Sequence, residues 1–420
     1  MYALAAKLFP IHRSITGDGV RRTLGEIRQL VPELRIHEVP SGTRVLDWEI
    51  PHEWRVRCAY VEDEQGRRIV DFKKNSLHVV AYSVPVDVTV SLEELDAHLY
   101  SLPDRPDAVP YVTAYYKDGW GFCVAHEERR RLKAGRYHVV IDSTLEPGSL
   151  TYGELVLPGQ EAQEVFLSTY VCHPSLANDN VSGPVVTTFL AKWLRERTDR
   201  RYTYRVVYVP ETIGSITYLS RHLEHMKRHT LAGFVVTCVG DDRCYSYMPS
   251  RGGDTVADRV CLHLLRHYAP DFVRYSFLQR GSDERQYCSP GVDLPVVSIM
   301  RSKYEEYPEY HTSHDDLSII SPAGLGGAYE MLRKAIVALE RNHRYRMTVP
   351  GEPQLGKRGL YPSVHQPGSV DQVRSMRNLI AYCDGRRDLV GVADAIKVPI
   401  DQCYSLVDQL LAHNLLDRVE

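Results

Sequence analysis

The sequence predicts an α/β fold: a mostly parallel central sheet flanked by helices, with a small β-rich domain inserted early and a winged-helix-like module at the end. Three observations carry this expectation. Apolar strand runs alternate with amphipathic helical stretches from about 150 to 345. Short alternating runs broken by Gly, Pro and Asp fill 36–140. The end of the chain holds short helical stretches followed by a final apolar run.

Residues 1–35 read as helical and as part of the main domain: Leu24, Ile27 and Leu30 recur at helical spacing, and Val31-Pro32 stops the pattern. Residues 36–140 form the insert, with Arg55–Val61 and Leu77–Tyr82 as strands and Glu62–Arg67 as a hairpin tip. The main domain resumes over 141–350. Its strand candidates are Val165–Val171, Arg205–Val209, Ala232–Thr237 and Val296–Met300. A helix runs from Gly183 to about Glu196, with Val185, Val186, Phe189, Leu190, Trp193 and Leu194 on one apolar face. Ala323–Arg341 closes the domain as a helix. In such alternation the site lies at the carboxyl ends of the strands. Residues 351–420 hold a linker, within a Pro- and Gly-rich stretch over 346–370, and the winged-helix-like module with helices at Leu389–Ile396 and Ile400–His413.

Hydrophobic residues make up 43% and charged residues 25%, the ordinary mix for a folded chain. A net charge of -3 gives no long-range pull towards nucleic acid or an anionic membrane. No apolar run approaches the roughly 20 residues that span a bilayer. Nine cysteines, an odd number without a CxxC pair, point to free thiols in a reducing compartment. The apolar opening lacks a basic leading region and meets Pro10 at once, so it reads as a helix and not a signal peptide, and the cytoplasm is the expected location. Ile400–His413 contains Asp401 and Asp408 and no Lys or Arg, so the C-terminal module is expected to serve packing or dimerisation rather than DNA binding. Self-association would use this module or the β insert.

Chemistry concentrates in four segments. Tyr170–Gly183 leaves a strand and enters a helix, placing His173 and Asp179 at the strand's carboxyl end. A neutral imidazole and a carboxylate suit a zinc-type ion. Taken alone, Asp179, Asn180 and Ser182 serve equally well as helix caps. Val209–Ser215 again ends an apolar strand in an acid, Glu211, able to take a proton from water and pass it to a leaving amine. Tyr310–Asp316 offers His311 as a third ligand, which leaves His314 a bystander, and Asp315 either to orient a loop or to accept an imidazole N–H. Arg280–Tyr287 is dense in charge for a loop flanked by apolar strands.

Together these segments resemble the zinc aminopeptidase superfamily of bacterial leucyl aminopeptidases, glutamate carboxypeptidase and glutaminyl cyclases. The matching residues are His173 with Ala177–Gly183, Glu211–Gly214, Ser282–Tyr287 and Tyr310–Asp315, in the family's order. The whole chain resembles a narrower set of bacterial aminopeptidase-like proteins often associated with polysaccharide or secondary-metabolite biosynthesis. Leu8–Gly17, Pro110–Cys123 and the C-terminal segment carry that closer likeness.

The resemblance implies a zinc-aminopeptidase-like catalytic domain, with two departures. The superfamily's second Glu ligand is Thr212 here, and its later Asp ligand falls at Thr237. His173, Asp179 and His311 then form a three-ligand set with an open position for water, which implies one Zn2+ per chain. Asp241 or Asp242 would have to restore a second site. Arg280 or Arg301 would hold a substrate carboxylate or phosphate, and Asp283, Glu284 or Glu309 a substrate amine, with Tyr310 as a further substrate contact. The expected activity is aminopeptidase-like hydrolysis of an amide or peptide bond in a small molecule or short peptide, with Glu211 as general base. The alternatives are a biosynthetic amidohydrolase, deacylase or acyl transferase on a small-molecule or sugar intermediate, and a non-catalytic binding or regulatory protein. The joint survival of His173, Asp179, Glu211 and His311 argues against the last.

Overall fold

The structure, a computed structural model, describes residues 1–360 and 369–419. The chain begins with α1 (Tyr2–Leu8) and α2 (Asp18–Leu30), the latter ending before Pro32 as expected. β1 (Arg35–Pro40) follows. A four-stranded antiparallel sheet comes next, built from β2 (Glu53–Glu62), β3 (Arg68–Asp71), β4 (Val86–Ser91) and β5 (Arg136–Glu146) in the order β3-β2-β5-β4. The β2–β3 hairpin turns where expected, with the Asp63 carboxylate accepting from the N–H groups of Gln65 and Arg67. Leu77–Tyr82, read as a strand, is instead a 3-10 turn over Ser76–His78 followed by single bridges to Phe122 and Thr113. The cause is local: Asn75 accepts from the Leu77 N–H at 2.9 Å and bends the chain before a ladder can form.

The large sheet adds β6 (Ser149–Leu157), β7 (Glu161–Tyr170), β8 (Tyr202–Val209), β9 (Thr230–Val235), β10 (Ser246–Met248), β11 (Val273–Arg274) and β12 (Val296–Met300). Its order is β1-β6-β8-β7-β9-β12-β10-β11. The four central strands are parallel, whereas β1, β6 and β10 run antiparallel to neighbours. The sheet is thus mixed with a parallel centre. The three residues 158–160 between β6 and β7 leave no room for a crossover, so the chain must reverse there. β7 is buried throughout Glu164–Tyr170, as a parallel strand covered on both faces must be.

Helices α3 (Ser182–Glu196) and α4 (Ile213–His229) connect these strands. Alternate residues of β6 show that both faces are covered. A Cβ on Gly153 would meet Leu24 of α2 at 3.0 Å, whereas the adjacent Tyr152 ring meets Tyr218 of α4 at 5.7 Å. One apolar cluster joins the large sheet to the insert: Phe166, Tyr170 and Val207 are continuous with Trp54, Tyr82, Phe122 and Val139. The expected insert span 36–140 divides accordingly. β1 joins the large sheet, and β5 carries the insert on to Glu146.

A second compact unit comprises Asp254–Phe272 and the chain from Glu330 onward. Its antiparallel sheet pairs Arg344–Met347 with both Asp384–Asp388 and Leu416–Val419, accompanied by helices Leu389–Ile396 and Ile400–Ala412. Helix Val256–Tyr268, which lies within the expected span 141–350, packs in this unit. Residues 361–368 of the expected linker, and Glu420, lie outside the described residues. Among the described residues, no helix is long and apolar enough to cross a membrane, and all nine cysteines are free.

Candidate metal centre

The carboxyl ends of the central strands converge. β7 ends at Tyr170 and delivers His173 and Asp179; β8 ends at Val209 and delivers Glu211; the loop after β12 delivers His311. Ligand-type atoms of His173, Asp179 and His311 lie within 4.8 Å of one another. Asp179 Oδ2 stands 3.9 Å from His173 Nε2 and 3.1 Å from His311 Nε2. Glu211 Oε2 stands 3.8 Å from His173 Nε2. Thr212 and His311 both hold left-handed backbone, with φ of 62° and 52°. For a β-branched residue such as Thr212 that conformation is rare and needs surrounding support.

Thr212 is held through its N–H, which donates to Asp283 Oδ1 at 2.8 Å, and the ligand loops are braced as well. Asp179 Oδ1 accepts from the Tyr170 hydroxyl, which is also 2.6 Å from Thr237 Oγ1. Asp315 accepts from the backbone N–H of Asn178 at 2.6 Å and of Asp179 at 3.0 Å, and from the Tyr307 hydroxyl at 2.7 Å. Of its two expected roles, Asp315 thus fills the first: it orients the loop and takes no imidazole N–H. Arg13, buried near the N-terminus, donates to the His173 carbonyl at 2.8 Å.

Burial lowers the His173 pKa to about 4 and keeps the ring neutral. For Asp179, burial opposes ionisation, but the adjacent His173 and His311 rings and the hydrogen bond from Tyr170 outweigh it and leave the carboxyl below its ordinary value. Burial, then the neighbouring Asp283 and Asp179 charges, push Glu211 well above the carboxylate range, partly offset by Arg285. Neutral imidazoles and an ionised carboxylate are the forms that bind a metal. His311 Nε2 is buried and makes no aligned hydrogen bond although Asp179 Oδ2 is only 3.1 Å away, the relationship expected of two ligands that share one ion. Beside Asp179 Oδ2 it completes a two-His, one-carboxylate donor set that fits zinc.

Among the described residues, a second ion finds no such set. Thr212 Oγ1 accepts from Arg285 at 2.9 Å, and Thr237 is engaged with Tyr170. Asp241 is buried and accepts from Ser302 N and Oγ, both at 2.9 Å, and from Asn178 Nδ2 at 3.1 Å. Asp242 is exposed and bonded to Ser321. Another His/Asp grouping, His263, His267 and Asp394, is explained without metal: Nε2 of His263 accepts from Ile400 N–H at 2.9 Å, so Nδ1 donates to Asp394 at 2.7 Å.

Most of the expected substrate contacts have internal partners. Arg301 donates to the Asp241 carbonyl at 2.7 Å and lies over Tyr245. Glu309 makes a two-pronged pair with Arg243 at 2.7 and 2.8 Å. Arg280 is exposed and folds back on Phe277. Asp283, whose pKa burial raises to about 6, accepts from Thr212 N and Ser215 Oγ. Glu284 accepts from Gly281 N, Ser282 N and the Tyr304 hydroxyl. Tyr310 stays at the centre, stacked on His311 with centroids 3.9 Å apart. His314, the bystander, faces Asp107 at 3.3 Å.

Two contributors escaped the sequence reading. Tyr111 of the insert places its ring 5.4 Å from His173 and 5.1 Å from His311, and its N–H donates to the His311 carbonyl at 2.8 Å. Nothing in its local pattern marks it, because the approach is across the fold. Arg285 sat inside the charged segment, where only the turn of its short helix sets it apart from Arg280.

The family model of the domain of unknown function DUF4910 matches residues 2–342, and a winged helix-turn-helix model matches residues 343–418. A Clostridium acetobutylicum protein is 46% identical over 397 residues, 94% of this chain and 90% of its own length. It is named, provisionally, as a polysaccharide biosynthesis protein with an aminopeptidase-like domain. A crystal structure from Clostridium acetobutylicum, provisionally described as a peptidase, superposes with a TM-score of 0.94 at 42% identity, covering 100% of this chain and 96% of that one. A zinc aminopeptidase from Bacillus subtilis shares the fold, with a TM-score of 0.59 at 16% identity over 80% of this chain and 93% of its own.

Proposed function

The chain belongs to the DUF4910 family, and on that premise we propose that it is a zinc-dependent hydrolase of amide or peptide bonds. The observation that carries this reading is the convergence of His173, Asp179 and His311 within 4.8 Å, with Glu211 alongside. Those three residues would hold the ion. When bound, zinc supplies Lewis acidity, polarising a carbonyl and acidifying water. Glu211 takes the water's proton and returns it to the departing nitrogen. Tyr310 and Tyr111 pack their rings against His311, stacked and edge-on respectively.

The relative's name and the threonines at both lost ligand positions favour a second reading within the same chemistry, a biosynthetic amidohydrolase or deacylase acting on a small-molecule or sugar intermediate. Free cysteines support a reducing compartment such as the cytoplasm. The C-terminal module, with no basic residue in Ile400–Ala412, serves packing or self-association in this reading.

Elemental analysis of protein purified without added metal tests the centre. We expect roughly one zinc per chain, lost in His173→Ala. Glu211→Gln should keep the metal and lose about 10²–10⁴-fold in turnover of amide substrates. Two ions per chain would overturn the three-ligand site, and no ion would favour a binding protein.

A further inference from the structure

An aminopeptidase holds the ammonium of its substrate, which takes an accessible carboxylate beside the metal. The carboxylates around this centre do not offer one. Asp283 and Glu284 are fully buried, at 0% exposure; Asp283 accepts from Thr212 N and Ser215 Oγ of the Glu211 segment, and Glu284 from Gly281 N of its own loop. Glu309 is neutralised by Arg243, and Glu305, beside Gly281 on the same rim, is paired with Lys303 at 3.3 Å. Glu211 is the general base.

The accessible charge next to Glu211 is a cation. Arg285 is exposed, yet its guanidinium is fixed: Nε donates to the Ser282 carbonyl at 3.1 Å and Nη2 to Thr212 Oγ1 at 2.9 Å. Thr212 directly follows Glu211, so this contact ties the guanidinium to the base's own turn. Among the described residues Arg285 has no ion-pair partner, and its Nη1 makes no hydrogen bond. A guanidinium held in place with a free edge is pre-organised for a carboxylate, which it can grip through two parallel N–H bonds.

We infer that Arg285 anchors a substrate carboxylate, and that the scissile amide belongs to an N-acyl amino acid, with its carboxylate on the leaving-nitrogen side and no free amine. The inference rests on the hydrolase reading above. In this reaction the water oxygen bonds to the acyl carbon and the C–N bond breaks. The nitrogen departs with the proton carried by Glu211, giving a carboxylic acid and a free amino acid.

The test uses the zinc-loaded full chain and two matched panels, N-acetyl-L-amino acids and L-amino acid amides, each spanning aliphatic, aromatic and acidic side chains. Binding is measured by calorimetry on Glu211→Gln, where no turnover interferes, and kcat/KM on the parent and on Arg285→Gln. We expect N-acetyl amino acids to bind and to be cleaved in preference to the amides. Arg285→Gln should weaken their binding and raise their KM roughly 10–100-fold with zinc content preserved, the size of a lost hydrogen bond to a charged group. Preference for the amides, equal losses for both panels in Arg285→Gln, or binding of neither panel would overturn the inference. Loss of the hydrolase reading looks different: no zinc in the parent chain, or full turnover in Glu211→Gln.

Discussion

The backbone N–H of Asp179 donates to Asp315 Oδ2 at 3.0 Å, so the loop that carries His311 also braces the loop that carries the carboxylate ligand. Asp315→Ala removes three acceptor contacts at once, to Asn178, Asp179 and Tyr307. We expect a loss of about 10–100-fold in zinc affinity, read by competition with a chromophoric chelator. Unchanged affinity would show that the loop holds its shape without the brace.

Tyr111 makes the insert part of the centre. Tyr111→Phe keeps the ring against both histidines and the backbone bond to His311, and should retain zinc affinity within about two-fold. Tyr111→Ala opens a gap beside His311 and should weaken zinc several-fold more than the phenylalanine variant. Equal affinities in the two variants would remove the ring from any positioning role.

Arg205 lies buried in β8 between Glu164 at 2.6 Å and Glu154 at 2.8 Å, and also donates to the Tyr218 hydroxyl. Arg205→Ala leaves two buried carboxylates without their cation. The expected cost is about 3–5 kcal/mol in denaturant unfolding. A loss under about 1 kcal/mol would mean that water or His225 replaces the guanidinium.

Glu53 is held by Arg21 in a two-pronged pair at 2.7 and 2.8 Å. The hydrogen bonds from Arg21, resisted by burial, lower its pKa from 4.5 to about 2. A depressed folded pKa contributes stability that is fully present above the unfolded value and is lost as pH falls through the folded one. The pair's contribution should therefore fade between about pH 4.5 and pH 2. Arg21→Ala should move the acid-unfolding midpoint upward, measured by circular dichroism against pH. An unmoved midpoint would assign acid unfolding to other groups.

The parallel centre of the sheet was legible because strands buried on both faces read as unbroken apolar runs, as in Val165–Val171 and Val296–Met300. The edge directions were not, since antiparallel pairing of β6 follows from a three-residue connection that carries no distinctive motif. The convergence of His173, Asp179, Glu211 and His311 was legible because each closes an apolar strand or its loop in a polar residue. Arg301 and Glu309 looked available for the same reason, yet each found a partner from a distant segment, Asp241 and Arg243. Pairing across the fold decides which charges remain free, and that information is spread over residues far apart in the chain.

The apolar cluster that runs without a break from Phe166 to Val139 also determines how this protein can be taken apart. An insertion that keeps a core of its own can be cut out as a cassette and its host closed over the gap. Here excision of 53–146 would remove Trp54, Tyr82 and Phe122 from the apolar cluster that they share with Tyr170 and Val207. Gene dissection would yield an insoluble fragment on either side of the cut, and limited proteolysis should find the two sheets as one resistant body.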